Sequence, residues 1–225
     1  MTAPEDWCEQ MLGYQFSDID LLKQALTHRS ASGPNNERLE FLGDAVLGLV
    51  IANAIYLEKT AAPEGALSRF RSGLVRRETL VDLARELNLG PVISMGSGER
   101  RSGGHQRQSV LANALEAIFG AILLDGGYNA AKLTILGVYS SRLASLPAES
   151  ELKDAKTRLQ EWLQARRLPP PEYPLLDVSG ADHARTFTVS CRLPALDLET
   201  NGSGTSRRRA EQAAAIEALE QLPND

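Results

Sequence analysis

The chain has 225 residues, enough for one large domain or two modest ones, and a formal net charge of −5. That balance excludes a protein coated in positive charge, so any affinity for nucleic acid has to come from local basic patches. Cys8 and Cys191 are the only cysteines, far apart and without metal-ligand spacing. They suggest a reducing cytoplasm, with Cys191 a small core residue in a strand. The start, Met1-Thr2-Ala3-Pro4-Glu5-Asp6, lacks the basic residues of a signal peptide. No apolar run is expected to approach a membrane span, and the protein reads as soluble and intracellular.

In chain order, Leu12, Phe16, Ile19, Leu22 and Leu26 predict two short helices between Trp7 and Ala31. They part near Gly13-Tyr14, and Asp18 or Ser17 caps the second. Thr27-His28-Arg29-Ser30 follows; a His beside an Arg at a helix end reads first as a structural hydrogen bonder. The loop 31–35 leads into Leu39 to Ile55, too apolar on all sides for a surface helix and hence a central core helix. Glu37, Glu40 and Asp44 interrupt its start. At about 100° per residue they fall on one narrow face spanning two turns. Like charges crowded against a core raise one another's pKa and are costly to desolvate without a neutralising cation. The plainer reading makes them solvated first-turn acids favoured by the helix dipole, with Asn36 as N-cap. It suits Glu37 better than Asp44, which lies inside the apolar run beside Gly43 and is not expected to be solvated. Oxygen ligands at this spacing suit Mg²⁺ or Mn²⁺ rather than zinc.

A turn at 61–65 precedes a helix from Ala66 to Val75, and a further helix from Val75 to Leu87 ends before Gly90-Pro91. The glycines between Met95 and Gly104 have neither a preceding strand nor a Gly-Lys-Ser/Thr ending, so a phosphate loop is rejected in favour of a mobile loop near substrate. Ser109 to Leu124 is a second apolar helix, on which Asn113 and Glu116, three apart, share a face. A turn at 125–129, a helix from Ala130 to Leu143 and a polar linker at 144–150 complete this half. Beyond it a helix spans Ala155 to Ala165, and strands are expected at Tyr173 to Ser179, Thr186 to Leu193 and Leu196 to Thr200. Phe187, Val189, Cys191 and Leu193 alternate as in a sheet with one buried face. A final helix, Ser206 to Leu222, is expected to bury Ala210, Ala213, Ala214, Ile216, Ala218 and Leu219. Arg207, Arg208 and Arg209, after a glycine loop at 202–204, oppose the dipole of that helix; they make sense if phosphates arrive there.

The run Asn36-Glu37-Arg38-Leu39-Glu40-Phe41-Leu42-Gly43-Asp44-Ala45-Val46-Leu47 resembles the signature of ribonuclease III, the double-stranded-RNA endonuclease. The likeness extends from Thr27-His28-Arg29-Ser30 to the C-terminus, and the α-β-β-β-α order of the second half is similar to the double-stranded-RNA-binding domain. The resemblance implies two domains: an all-α, dimerising ribonuclease III catalytic domain over 1–147, a linker over 148–153 and an α+β double-stranded-RNA-binding domain over 154–223. It implies Mg²⁺, with Mn²⁺ a plausible substitute, held by Glu37, Glu40, Asp44, Asn113 and Glu116, of which Asp44 and Glu116 are catalytic. Asn113 departs from the family, which usually has aspartate there; its amide oxygen can coordinate a cation but supplies no charge. The acids Glu37, Glu40, Asp44 and Glu116 still give four carboxylates, formally enough for two Mg²⁺ ions.

By the same resemblance, RNA contacts fall to Thr157, Gln160 and Glu161, to His183, and to Ser206, Arg207, Arg208 and Arg209, which together read the shape of A-form RNA. Phe41 resembles the residue that plugs the partner subunit of a homodimer, the alternative being an ordinary core aromatic. Glu64, otherwise a turn residue, stands where the family has an acid approaching the active valley of the dimer. The implied activity is cleavage of double-stranded RNA to 5′-phosphate and 3′-hydroxyl ends with short 3′ overhangs, in the processing of rRNA precursors and other structured transcripts. A rival from another class is a protein that captures structured RNA without cutting it, which Asn113 keeps open. A hydrolase of small phosphate compounds would leave the second domain without a purpose.

Overall fold

Pro4 at the first helical position and Gly13 in the left-handed region after the last bound α1 (Pro4–Leu12) in the computed structural model, which describes residues 3–146, 154–180 and 185–223. Asp18 accepts the Asp20 amide and starts α2 (Ile19–Ala25). In α3 (Glu37–Glu58) the expected cap is shifted by one residue: Asn36 makes no capping bond, and Asn35 Oδ1 accepts the Glu37 amide at 3.1 Å. Then come α4 (Glu64–Val75) and α5 (Arg77–Glu86), parted by the extended backbone of Arg76. Glu64 is not in the turn but opens α4, where it accepts the Ser68 hydroxyl at 2.7 Å. The glycine-rich stretch is not an open loop: it holds α6 (Ser97–Arg101), pinned by Arg100 donating to the Ile93 carbonyl at 2.8 Å and by the Arg107–Glu99 ion pair at 2.7 Å.

The last long helix is longer than its sequence pattern suggested. Its expected turn is a kink at Gly127 (φ 76°, ψ −177°), a conformation only glycine adopts easily, inside α7 (Gln108–Val138); α8 (Ser140–Ala144) follows. Asp125, just before the kink, accepts from the Tyr14 hydroxyl at 2.6 Å and from the amides of Ser17 and Asp18, so the α1–α2 connection is tied to the bend.

At the centre of this unit, Met1–Leu146, α7 packs on α3, α5 and α2. The α3–α7 crossing is backbone against backbone. A Cβ on Gly43 would stand 1.7 Å from the Glu116 carbonyl oxygen, and one on Gly120 would stand 2.3 Å from that of Leu39. Contrary to expectation, α3 and α7 are each long and apolar enough to cross a membrane: α7 because it is mostly enclosed by other helices, and α3 because it carries apolar residues on an exposed face, Leu49, Tyr56 and Leu57, as well as on its buried one. Leu47, Val50, Ile51 and Ile55 of α3 and Leu115, Ile118, Phe119 and Ile122 of α7 are buried in the core.

The second unit, Pro147–Asp225, opens its described part with α9 (Ala155–Ala165), capped by Asp154 accepting the Thr157 amide at 2.9 Å. Three antiparallel strands, β1 (Leu175–Ser179), β2 (Thr186–Leu193) and β3 (Leu198–Gly204), lie in that order and are followed by α10 (Arg207–Gln221). Leu159 and Leu163 of α9, Cys191 and Leu193 of β2, and Ala214 and Ala218 of α10 form its core. The presumed glycine loop at 202–204 belongs to β3: a Cβ on Gly202 would lie 2.1 Å from the Ala214 nitrogen, so these glycines let the helix settle on the strand. Ile216 is exposed and Ala213 only half-buried; two residues rotate about 200° on a helix, which turns Ile216 away from the Ala214–Ala218 face. His183 and the linker at 148–153 lie outside the described residues.

Candidate metal and nucleic-acid sites

The glycine contact between α3 and α7 decides which carboxylates meet. Gly43 lies next to Asp44 and three residues after Glu40, and it rests on the backbone of Glu116 itself. The result is an open cleft of about 590 Å³, lined by Glu37, Glu40, Phe41 and Asp44 from α3 and by Ser109, Val110, Asn113 and Glu116 from α7. His28, Arg29 and Asn36 close one side. They are held by backbone pairing across the molecule: the His28 amide donates to the Ser94 carbonyl, and the Ser94 amide to that of Leu26, each at 2.8 Å. His28 Nδ1 meets Ser30 Oγ at 2.8 Å, the structural role expected for it.

Burial first, then the negative charges of Asp44 and Glu40, push the Glu116 carboxyl up to about 7, with Arg77 opposing them. Burial also raises Glu40; a hydrogen bond from Asn113 offsets it, Glu37 adds to it, and Arg77 and Arg29 work against it. Asn113 therefore acts as a donor to Glu40, with its amide nitrogen rather than its oxygen turned to the acid. One expectation changes: Asp44 is solvent-exposed rather than enclosed. Glu37 is exposed as the plainer reading had it and lies at the rim, 3.7 Å from Arg29, where it acts on Glu40.

Among the described residues, no three His, Cys, Asp or Glu side chains stand close enough to ligate one ion. The donor set nonetheless fits a hard divalent cation. It comprises carboxylates and an amide, and the central carboxyl is strained toward its protonated form by like charges that a cation would neutralise. Glu40, Asp44, Glu116 and Asn113 are the residues that would hold it.

Arg77 is the residue that the sequence reading missed. It opens α5, and of the cations acting on Glu116 it is the one that opposes the acids. Its signal was available: an arginine at a helix start opposes the dipole, the argument applied above only to 207–209. Phe41 is 80 % exposed, so it is not a core aromatic. With Leu49 and Tyr56, also exposed, it forms an apolar stripe along α3. Glu64 does not line the cleft.

In the second unit Thr157, Gln160 and Glu161 are exposed on α9, and Arg207, Arg208 and Arg209 are exposed on the first turn of α10, where Ser206 caps by accepting the Arg209 amide. Each arginine has a neighbour: Arg207 Nε donates to Glu211 at 3.0 Å, Arg208 lies 4.0 Å from Asp154, and Arg209 donates to the Thr205 hydroxyl at 3.0 Å.

Comparison with known proteins agrees with both halves. A family model described as ribonuclease-III-like matches residues 18–143, and one for the double-stranded RNA binding motif matches 155–222. Ribonuclease 3 of Alkalilimnicola ehrlichii is 52 % identical over 222 residues, covering 99 % of this chain and 97 % of that one. Ribonuclease 3 of Vibrio atlanticus is 50 % identical over 224 residues, with both chains covered in full (100 %). Among solved structures, the nuclease domain of ribonuclease III from Campylobacter jejuni, described with a structurally flexible region involved in dimer formation, aligns with a TM-score of 0.59 at 44 % identity. It covers 60 % of this chain and 96 % of that domain.

Proposed function

The chain belongs to the ribonuclease III family, an endoribonuclease acting on double-stranded RNA, and from that premise we propose divalent-metal-dependent phosphodiester hydrolysis in the cleft between α3 and α7. The observation that carries this reading is the convergence of Glu40, Asp44 and Glu116 on one cleft, with Glu116 raised to about 7 by burial and by the other two acids. Mg²⁺, or Mn²⁺ in its place, when bound supplies charge neutralisation and Lewis acidity toward the phosphoryl oxygens. Glu116 and Asp44 are the proposed catalytic pair, Glu40 and the Asn113 side chain complete the ligand set, and Glu37 serves from the rim. In the proposed hydrolysis water adds to the scissile phosphorus and the P–O3′ bond breaks, the 3′ oxygen leaving as a hydroxyl, which gives 5′-phosphate and 3′-hydroxyl ends; two such clefts acting on opposite strands would leave short 3′ overhangs.

The exposed stripe of Phe41, Leu49 and Tyr56 supports a homodimer, since apolar surface of this kind is costly to leave in water. Duplex capture falls to α9 and the Arg207–Arg209 turn, reading A-form shape with a proposed division at residues 148–153. Precursor rRNA and structured mRNA are the proposed substrates and the cytoplasm the proposed compartment, in keeping with two buried, unpaired thiols.

The deciding experiment incubates a perfect RNA duplex with the protein and Mg²⁺. Cleavage is expected, and Glu116→Gln should lower it by about 10²- to 10³-fold, the order of losing a transition-state charge contact, while duplex binding persists. Retention of the duplex without cleavage by the wild-type protein would overturn the enzyme reading in favour of a binding protein, the rival that Asn113 sustains.

A further inference from the structure

The start of α10 carries an acid where an RNA-facing surface should have none. Glu211 lies one turn after Arg207, and its side chain is only 14 % exposed. One carboxylate oxygen accepts Arg207 Nε at 3.0 Å and the other accepts Lys156 Nζ at 2.7 Å. Lys156 belongs to α9, and its ammonium also sits 4.3 Å from the centre of the Tyr173 ring. A second strap lies beside the first, because the Lys156 amide donates to Gln212 Oε1 at 3.3 Å. The N-terminal turns of α9 and α10, the two helices proposed to meet RNA, are therefore fastened together at Lys156, its ammonium on the Glu211 carboxylate and its amide on Gln212.

We infer that Glu211 is a positioning residue for double-stranded RNA: its carboxylate fixes the Arg207 guanidinium and the Lys156 ammonium in one array joining α9 to α10. The inference rests on the proposed reading that the α10 arginines face phosphate. An isolated acid there would repel phosphate and weaken binding. Glu211 is flanked by two cations, so the cluster keeps a positive balance. The Nε edge of Arg207 is occupied, while the Nη edge has no partner among the described residues and can fork onto a phosphate oxygen. Arginine and lysine carry much rotamer freedom, and ordering them before the ligand arrives removes that cost from binding.

Charge counting and positioning predict opposite signs, which makes the test decisive. The full-length protein is titrated in EDTA, where it cannot cleave, against a fluorescent RNA duplex of about 16 base pairs, the span of one such domain, at several salt concentrations. Glu211→Gln keeps the shape and removes one negative charge. If Glu211 only subtracts charge, affinity rises and the salt dependence steepens. If it positions, Kd rises about 3- to 10-fold, and the effect shrinks in an Arg207→Ala background to the share carried by Lys156, because the carboxylate acts through those two cations. Unchanged or tighter binding by Glu211→Gln overturns the inference. Should that variant fold poorly, Arg207→Lys keeps the charge and loses the planar fork; the same loss is expected, and unchanged affinity overturns the inference. Failure of the underlying reading looks different: Arg207→Ala would itself leave Kd untouched.

Discussion

Glu116 is the residue whose environment departs furthest from that of a free side chain within the cleft. An ordinary carboxyl ionises near 4.5, whereas here burial and two acidic neighbours hold the proton up to about 7. Between those values the folded protein binds more protons than the unfolded chain, so metal-free stability must fall as pH rises from 4.5 to 7 and stay low above it. Glu116→Gln removes that penalty. After allowing for partial exposure, the variant is expected to be about 1–2 kcal/mol more stable than wild type at pH 8 in EDTA, with the difference vanishing near pH 4.5. Thermal melts at the two pH values check it, and a constant offset would contradict the assignment. Asn113 calls for a second measurement. It now donates to Glu40, whereas Asn113→Asp would set a further negative charge among Glu40, Asp44 and Glu116. The metal-free Tm should drop by a few degrees while the Mg²⁺ concentration for half-maximal cleavage falls several-fold, since cation affinity grows with ligand charge. A drop in the metal-free Tm with an unchanged or higher Mg²⁺ requirement would exclude a ligand role for this position.

At the scale of elements, the crossing of α3 and α7 makes the site. Leu39 to Ile55 could be recognised as a core helix from its unbroken apolarity, and the three acids at its start could be placed on one face by pitch alone. Which second helix completes the cleft, and at what depth, could not be read that way. It depends on Gly43 and Gly120, which remove two side chains and bring the backbones into contact. Gly43→Ala would force α3 away from the Glu116 carbonyl, with an expected cost of about 3 kcal/mol or more, or roughly 6–12 °C in Tm. Because the same displacement separates Glu40 and Asp44 from Glu116, Mg²⁺-dependent cleavage should fall further than folding does. A well-folded, fully active Gly43→Ala protein would show that the helices can part without harm to the site. The glycines of β3 make the same point, since Gly202 read as loop but serves as the seat for α10.

At the scale of the molecule, the exposed stripe on α3 has an assembly consequence. Phe41, at the mouth of the cleft, is 80 % exposed, and Leu49 and Tyr56 extend the same face. Phe41→Asp places a charge in that stripe and is expected to shift the protein from dimer to monomer in sedimentation velocity at micromolar concentration, with little change in the melting temperature of the helical unit. A wild-type monomer, or a dimer unaffected by this change, would place the interface elsewhere.

The sequence by itself determined the family and the two-part fold: a contiguous acid-bearing signature, a long apolar helix, a second half with strand periodicity, and arginines at a helix start. These are local properties, written in neighbouring residues at fixed spacing. Only the tertiary structure decided that Asp44 is exposed while Glu116 is half-buried, that Arg77 opposes the acids, and that Glu211 spans two helices. Those facts depend on groups far apart in the chain meeting across packed elements. Depth of burial and pairing of charge arise from that meeting, so no periodicity encodes them.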